Sequence, residues 1–160
     1  MNPDVALCRH LASLEAGGAA FTLAPDEILD WDDGAVEAIV RCSVCGAPAW
    51  LEAVDGSRDR SVRVFALAGL RAADVAVFRR SAGKGSCDPK RQPAEREALA
   101  AAAGPFERLV AFQLREERVL AAAPLAPPER LPSGGWPARQ PAAGDARWFE
   151  RLGLDKAKPF

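Results

Sequence analysis

The sequence predicts an α+β domain, a small antiparallel sheet carrying two helices, followed by an extended proline-rich arm. Strand-forming residues fill 36–41, 49–54 and 61–67, with turn residues between them. Helical spacing and helical punctuation mark 71–82 and 93–103. Seven of the 13 prolines lie after residue 120, where they fix φ and remove amide donors.

Taken in order, residues 1–35 are acidic, with Arg9 against seven carboxylates for a net of 1 − 7 = −6. Pro25, Asp26 and Glu27 read as a helix start, and Asp32, Asp33 and Gly34 as a turn. The acidic run lacks the spacing of an EF-hand loop. Val36 to Arg41 forms a strand leading into Cys42, and Ala49 to Val54 a second. Asp55-Gly56 is suited to a tight hairpin turn because glycine accepts positive φ. Ser61 to Leu67 returns as the third strand. In 71–82, Val75, Phe78 and Ala82 share one helical face. In 93–103, Pro93 opens the helix, Glu95 and Glu97 complement its dipole, and Gly104-Pro105 ends it. A strand over 107–114 places Val110, Phe112 and Leu114 on one face and Leu109 and Ala111 on the other. A weaker strand covers 118–121. The domain is expected to span 1–121 and the arm 122–160, with a short amphipathic turn at Asp145 to Leu152.

The chain has 160 residues, 49% of them hydrophobic, enough for one real core and too few for a multi-domain enzyme. Its formal net charge of −1 provides no global field toward nucleic acid or anionic lipid. No run approaches the roughly 18 apolar residues of a membrane span, and Val5-Ala6-Leu7 is too short for a secretory signal core. A cytoplasmic location is the expectation, and four cysteines there argue for metal before disulfides.

The informative residues are Cys8-Arg9-His10 and Cys42-Ser43-Val44-Cys45-Gly46. Two thiolates two residues apart in a tight turn chelate one ion, and the following glycine lets the backbone fold back. The only histidine of the chain stands two residues from Cys8. Together Cys8, His10, Cys42 and Cys45 make a Cys₃His set expected to hold Zn²⁺. A redox role for the Cys-x-x-Cys pair would place it at a helix start, whereas a strand follows here. Cys87 is expected to be a non-ligand.

At this site Cys42 to Gly46 resembles the knuckle of zinc-ribbon-type domains. It differs in its first pair, Cys-x-His near the N-terminus, so the resemblance implies ligand roles alone. Cys8-Arg9-His10-Leu11 also resembles the first half of a Rieske-type cluster motif. The second half would need a histidine where Cys45 stands, so a three-Cys, one-His iron–sulfur site is the alternative. Four protein ligands leave no open position, which is the pattern of structural zinc.

Gly83-Lys84-Gly85-Ser86 lacks the Walker spacing. With Arg79, Arg80, Lys84, Lys90 and Arg91 it makes a basic segment, net 6 − 2 = +4 over 71–91, that could meet phosphate. It has no interleaved aromatics of the kind that stack on single strands. His10 is claimed by the metal, so no nucleophile–base pair can be assembled. The expected function is a non-enzymatic accessory or adaptor protein with structural zinc. Its arm would dock a protein partner through Trp136, Trp148, Phe149 and Phe160. A nucleic-acid-binding zinc protein using 79–91 is the alternative.

Overall fold

The computed structural model describes residues 5–15, 17, 21–32, 35–55, 62–81, 93–113 and 115–125. Six strands form one antiparallel meander in sequential order: β1 (Phe21–Asp32), β2 (Ala35–Cys42), β3 (Pro48–Asp55), β4 (Val62–Gly69), β5 (Phe106–Gln113) and β6 (Arg118–Pro124). The helices are α1 (Arg9–Ala12), α2 (Ala72–Ser81) and α3 (Pro93–Ala102). The chain is α+β, as the sequence predicts, and β6 runs past Ala121 to Pro124.

The sheet is not flat. Gly17 and Val119 exchange both backbone hydrogen bonds, at 3.0 Å each, on the outer edge of β6. Phe21 pairs with Cys42 at the opposite edge. On a flat sheet Gly17 and Phe21 would lie six strand spacings apart, about 29 Å. Four residues of chain reach about 14 Å at most. The sheet is therefore rolled, and the segment that precedes β1 meets β6 at this bridge.

Rolling separates two faces. Alternation along the strands sends Ala38, Val40, Leu51, Phe65, Leu67 and Val110 inward, where Phe65 and Phe112 stack with ring centroids 5.7 Å apart. Leu7, Leu11 and Leu14 from the N-terminal segment complete this inner cluster. The segment is held by the Leu7 amide donating to the Glu107 carboxylate and by Arg108 donating to the Leu14 carbonyl. It passes so close to β4 that a Cβ on Gly69 would stand 2.3 Å from the Ala6 carbonyl carbon, so only glycine fits there.

The outer face carries two further clusters. Val75 and Phe78 of α2 and Leu99 of α3 pack on Ile39, Trp50 and Ala68. Beyond them Val62, Val64, Ala66, Leu109, Ala111, Ala123 and Leu125 form the second. Every residue of β4 is buried, so both faces of that strand are covered.

Two expectations are corrected. Residues 25–27 begin no helix, because they lie within β1. The pairing there slips between Leu23 and Ile28, so Pro25 falls in an irregular stretch where no ladder amide is required of it. Asp55 is not a turn residue either, because it ends β3 and pairs with Arg63. Residues 33–34 and 56–61 lie outside the described residues. In contrast, Val110 and Phe112 do face opposite to Leu109 and Ala111.

Glu37 and Glu52 stand directly opposite each other on β2 and β3, on the outer side beside Ile39 and Trp50. Arg96 of α3 pairs with Glu37 at 2.9 Å, and the Trp50 indole donates to Glu52 at 3.3 Å. Burial pushes the Glu52 carboxyl up to about 7, against the Trp50 hydrogen bond and reinforced by the Glu37 charge. The folded chain thus keeps this proton in a range where the unfolded chain, with a value near 4.5, has lost it. Folding takes up a proton there, so Glu52's contribution to stability declines as pH rises from about 4.5 to about 7. Glu52→Gln, which stays neutral, is expected to flatten that slope and raise the melting temperature at pH 8 by a few degrees, measured by thermal denaturation across pH.

Candidate metal centre

Two short pieces of chain bring the donors together. Cys8 caps α1 with extended backbone, φ −61° and ψ 150°, and its carbonyl accepts from the Ala12 amide at 2.9 Å. His10 lies inside this single helical turn, which Ser13 closes by donating its hydroxyl to the Arg9 carbonyl at 2.7 Å. Leu7 and Leu11, buried in the inner cluster, flank the pair and fix where Cys8 and His10 stand.

The second piece is the β2–β3 turn. The Cys42 amide donates to the Ala47 carbonyl and the Gly46 amide to the Cys42 carbonyl, each at 2.9 Å. Gly46 takes φ +73°, the left-handed conformation that a side chain would strain. The Val44 amide points at the Cys42 sulfur, 3.4 Å away. This is the turn that Cys-x-x-Cys-Gly anticipates.

The four donor atoms of Cys8, His10, Cys42 and Cys45 all lie within 4.8 Å of one another. A tetrahedral ion with metal–sulfur distances near 2.3 Å wants donors about 3.8 Å apart, so a small inward movement completes the shell. The three cysteines are free thiols. Cys42 is buried, Cys8 and His10 are half-buried, and Cys45 is exposed. His10 Nδ1 is buried with no hydrogen-bond partner, a costly state for a ring nitrogen. A cluster of three sulfurs and an imidazole is a donor set for a borderline-soft cation, so the residues fit a metal ion.

Electrostatics separates the thiols. Burial pushes Cys8 up to about 11, with the Leu11 amide opposing and Cys42 and Cys45 adding to the rise. Burial acts the same way on Cys42. The Cys45 and Val44 amides and the neighbouring thiols outweigh it and hold Cys42 below the usual thiol value. Cys42 is thus readier than Cys8 to meet a cation, and a bound cation displaces the remaining protons.

The other residues singled out from sequence are placed as follows. Arg79 and Arg80 lie in α2, while Lys84, Cys87, Lys90 and Arg91 lie outside the described residues. Trp136, Trp148, Phe149 and Phe160 also lie outside them. Sequence reasoning missed Glu107 and Arg108, which hold the N-terminal segment, and the Glu37–Glu52–Arg96 group. No local pattern signals these contacts, because the partners of Glu107 and Arg108 lie in the N-terminal segment and that of Glu37 in α3. No helix among the described residues is long and apolar enough to cross a membrane.

No family model matches this chain, and neither curated proteins nor solved structures give a significant match.

Cys42→Ser and Cys45→Ser are each expected to abolish stoichiometric metal binding and to lower the melting temperature, by elemental analysis and thermal denaturation. Cys87→Ser is expected to preserve both.

Proposed function

We propose that the chain is a non-enzymatic accessory protein in which one structural Zn²⁺, held by Cys8, His10, Cys42 and Cys45, fixes the N-terminal segment to the β2–β3 turn. The observation that carries this reading is the complete four-donor set within 4.8 Å, with the buried His10 Nδ1 lacking any other partner. Four protein ligands saturate a tetrahedral ion. No position is then left for the water or substrate that a catalytic zinc requires. The ion acts as a cross-link between residues 8–10 and 42–45, and its binding energy becomes folding energy. In small zinc peptides that energy is on the order of 10 kcal/mol. Here it adds to a core that already packs Leu7, Leu11 and Leu14. Three sulfurs and one nitrogen favour zinc or an iron–sulfur cluster over hard cations, and colour separates the two.

Elemental analysis of the full chain is expected to give one zinc per molecule and no visible absorbance. Cobalt substitution is expected to give a tetrahedral d–d spectrum that added cyanide or azide leaves unchanged. Iron with brown absorbance would replace zinc by a cluster. A cobalt spectrum that shifts with added anion would reveal an open position and overturn the structural role.

A further inference from the structure

Three sulfurs meet at the metal centre, and they differ in what can reach them. The Sγ atoms of Cys8, Cys42 and Cys45 lie within 4.8 Å of one another, and all three are free thiols. Cys42 is buried, Cys8 is half-buried and Cys45 is exposed. Val44, next to Cys45, is 71% exposed, so the tip of the β2–β3 turn stands open to solvent. Oxidation of a thiol follows its exposure, so a small oxidant arriving from solution meets Cys45 before the other two.

The partner of Cys45 follows from how each remaining sulfur is held. Cys42 and Cys45 share one turn, closed by the Gly46 amide donating to the Cys42 carbonyl and by the Cys42 amide donating to the Ala47 carbonyl. Side-chain rotation within that turn is enough to join them. Cys8 belongs to the other piece of chain. Its neighbour Leu7 is buried in the inner cluster with Leu11, and the Leu7 amide donates to the Glu107 carboxylate. A bond to Cys8 has to pull against those contacts. The pair is followed by β3, not by a helix whose N-terminus would activate it for exchange catalysis. A disulfide made here therefore stays until a reductant removes it.

We infer that Cys42 and Cys45 are a peroxide-oxidisable pair whose disulfide dismantles the metal centre. The Cys45 sulfur attacks hydrogen peroxide, an S–O bond forms, the O–O bond breaks, and the displaced oxygen leaves as water. The Cys42 sulfur then attacks the Cys45 sulfenic sulfur, the S–S bond forms, the S–O bond breaks, and a second water leaves. The two sulfurs lose two electrons and one peroxide becomes two waters, with two protons taken from the thiols or, when a metal has displaced those, from solvent. Thiolates bind zinc and a disulfide does not, so Cys8 and His10 remain as two ligands where a structural site needs four. Metal release rests on the zinc reading above, whereas disulfide formation does not.

The test treats the full, zinc-loaded chain with stoichiometric hydrogen peroxide, follows zinc with a chromophoric chelator, and maps the products by mass spectrometry. Trypsin cuts after Arg41 and Arg58, so both cysteines fall in one peptide, 42–58. That peptide is expected to become lighter by two hydrogens, with one zinc released for each disulfide formed, and dithiothreitol with added zinc should restore the starting state. Thiols that stay unreacted, zinc that stays bound beside the disulfide, a bond to Cys8 or Cys87, or oxidation to sulfinic acid without a disulfide would each overturn the inference. Cys8→Ser is expected to form the Cys42–Cys45 bond in full yield, and its loss there would overturn the choice of partner. A chain that purifies without zinc and takes up none contradicts the zinc reading alone. The peptide map of the metal-free chain then decides the disulfide by the same outcomes.

Discussion

The rest of this structure depends on how residues 5–15 cover the inside of a rolled sheet. The inner face of five strands is apolar, from Ala38 on β2 to Val119 on β6. The segment carrying Leu7, Leu11 and Leu14 packs into it. That segment contains a single helical turn, far below the length at which a helix holds itself in water. Its conformation is therefore imposed from outside. Glu107 takes the Leu7 amide, Arg108 the Leu14 carbonyl, and Val119 pairs with Gly17. Gly69 gives up its side chain so that Ala6 can pass.

The metal centre follows from this packing. Once Leu7 and Leu11 are seated, Cys8 and His10 between them have little freedom, and the donors arrive beside Cys42 at the end of β2. The turn at 42–46 is preformed by two backbone hydrogen bonds and a left-handed glycine. Both halves are thus positioned by apolar contacts and backbone before any ion is considered. A cation would join two pieces already in place, about 35 residues apart in sequence, and would restrict the unfolded chain by closing that loop. What it would add most directly is one shared partner for the His10 imidazole and three neighbouring sulfurs.

Where one strong local signal decides the structure, the sequence is legible. Alternation located β2, β3, β4 and β5 to within a residue or two, and Pro93 and Gly104-Pro105 bounded α3. The four metal donors were visible because Cys-x-x-Cys-Gly and a sole histidine beside a third cysteine are rare, specific patterns. The missing parts are those set by distant contacts. β1 was hidden by Pro25 and a run of carboxylates, and it is a strand because β2 offers it an edge. α1 carries no periodicity in four residues. The rolling of the sheet rests on one bridge between Gly17 and Val119, which no local pattern encodes. The raised carboxyl of Glu52 depends on Glu37 across the strand and on burial of the outer face.

The central claim is that residues from both ends of a 38-residue span (8 to 45) share one ion. X-ray absorption at the zinc edge of the purified full chain tests it most directly, since the shell reports ligand type and distance. Three sulfurs at about 2.3 Å and one imidazole nitrogen at about 2.0 Å are expected. A shell of four sulfurs would put Cys87 in place of His10, and a shell dominated by oxygen would contradict the site altogether.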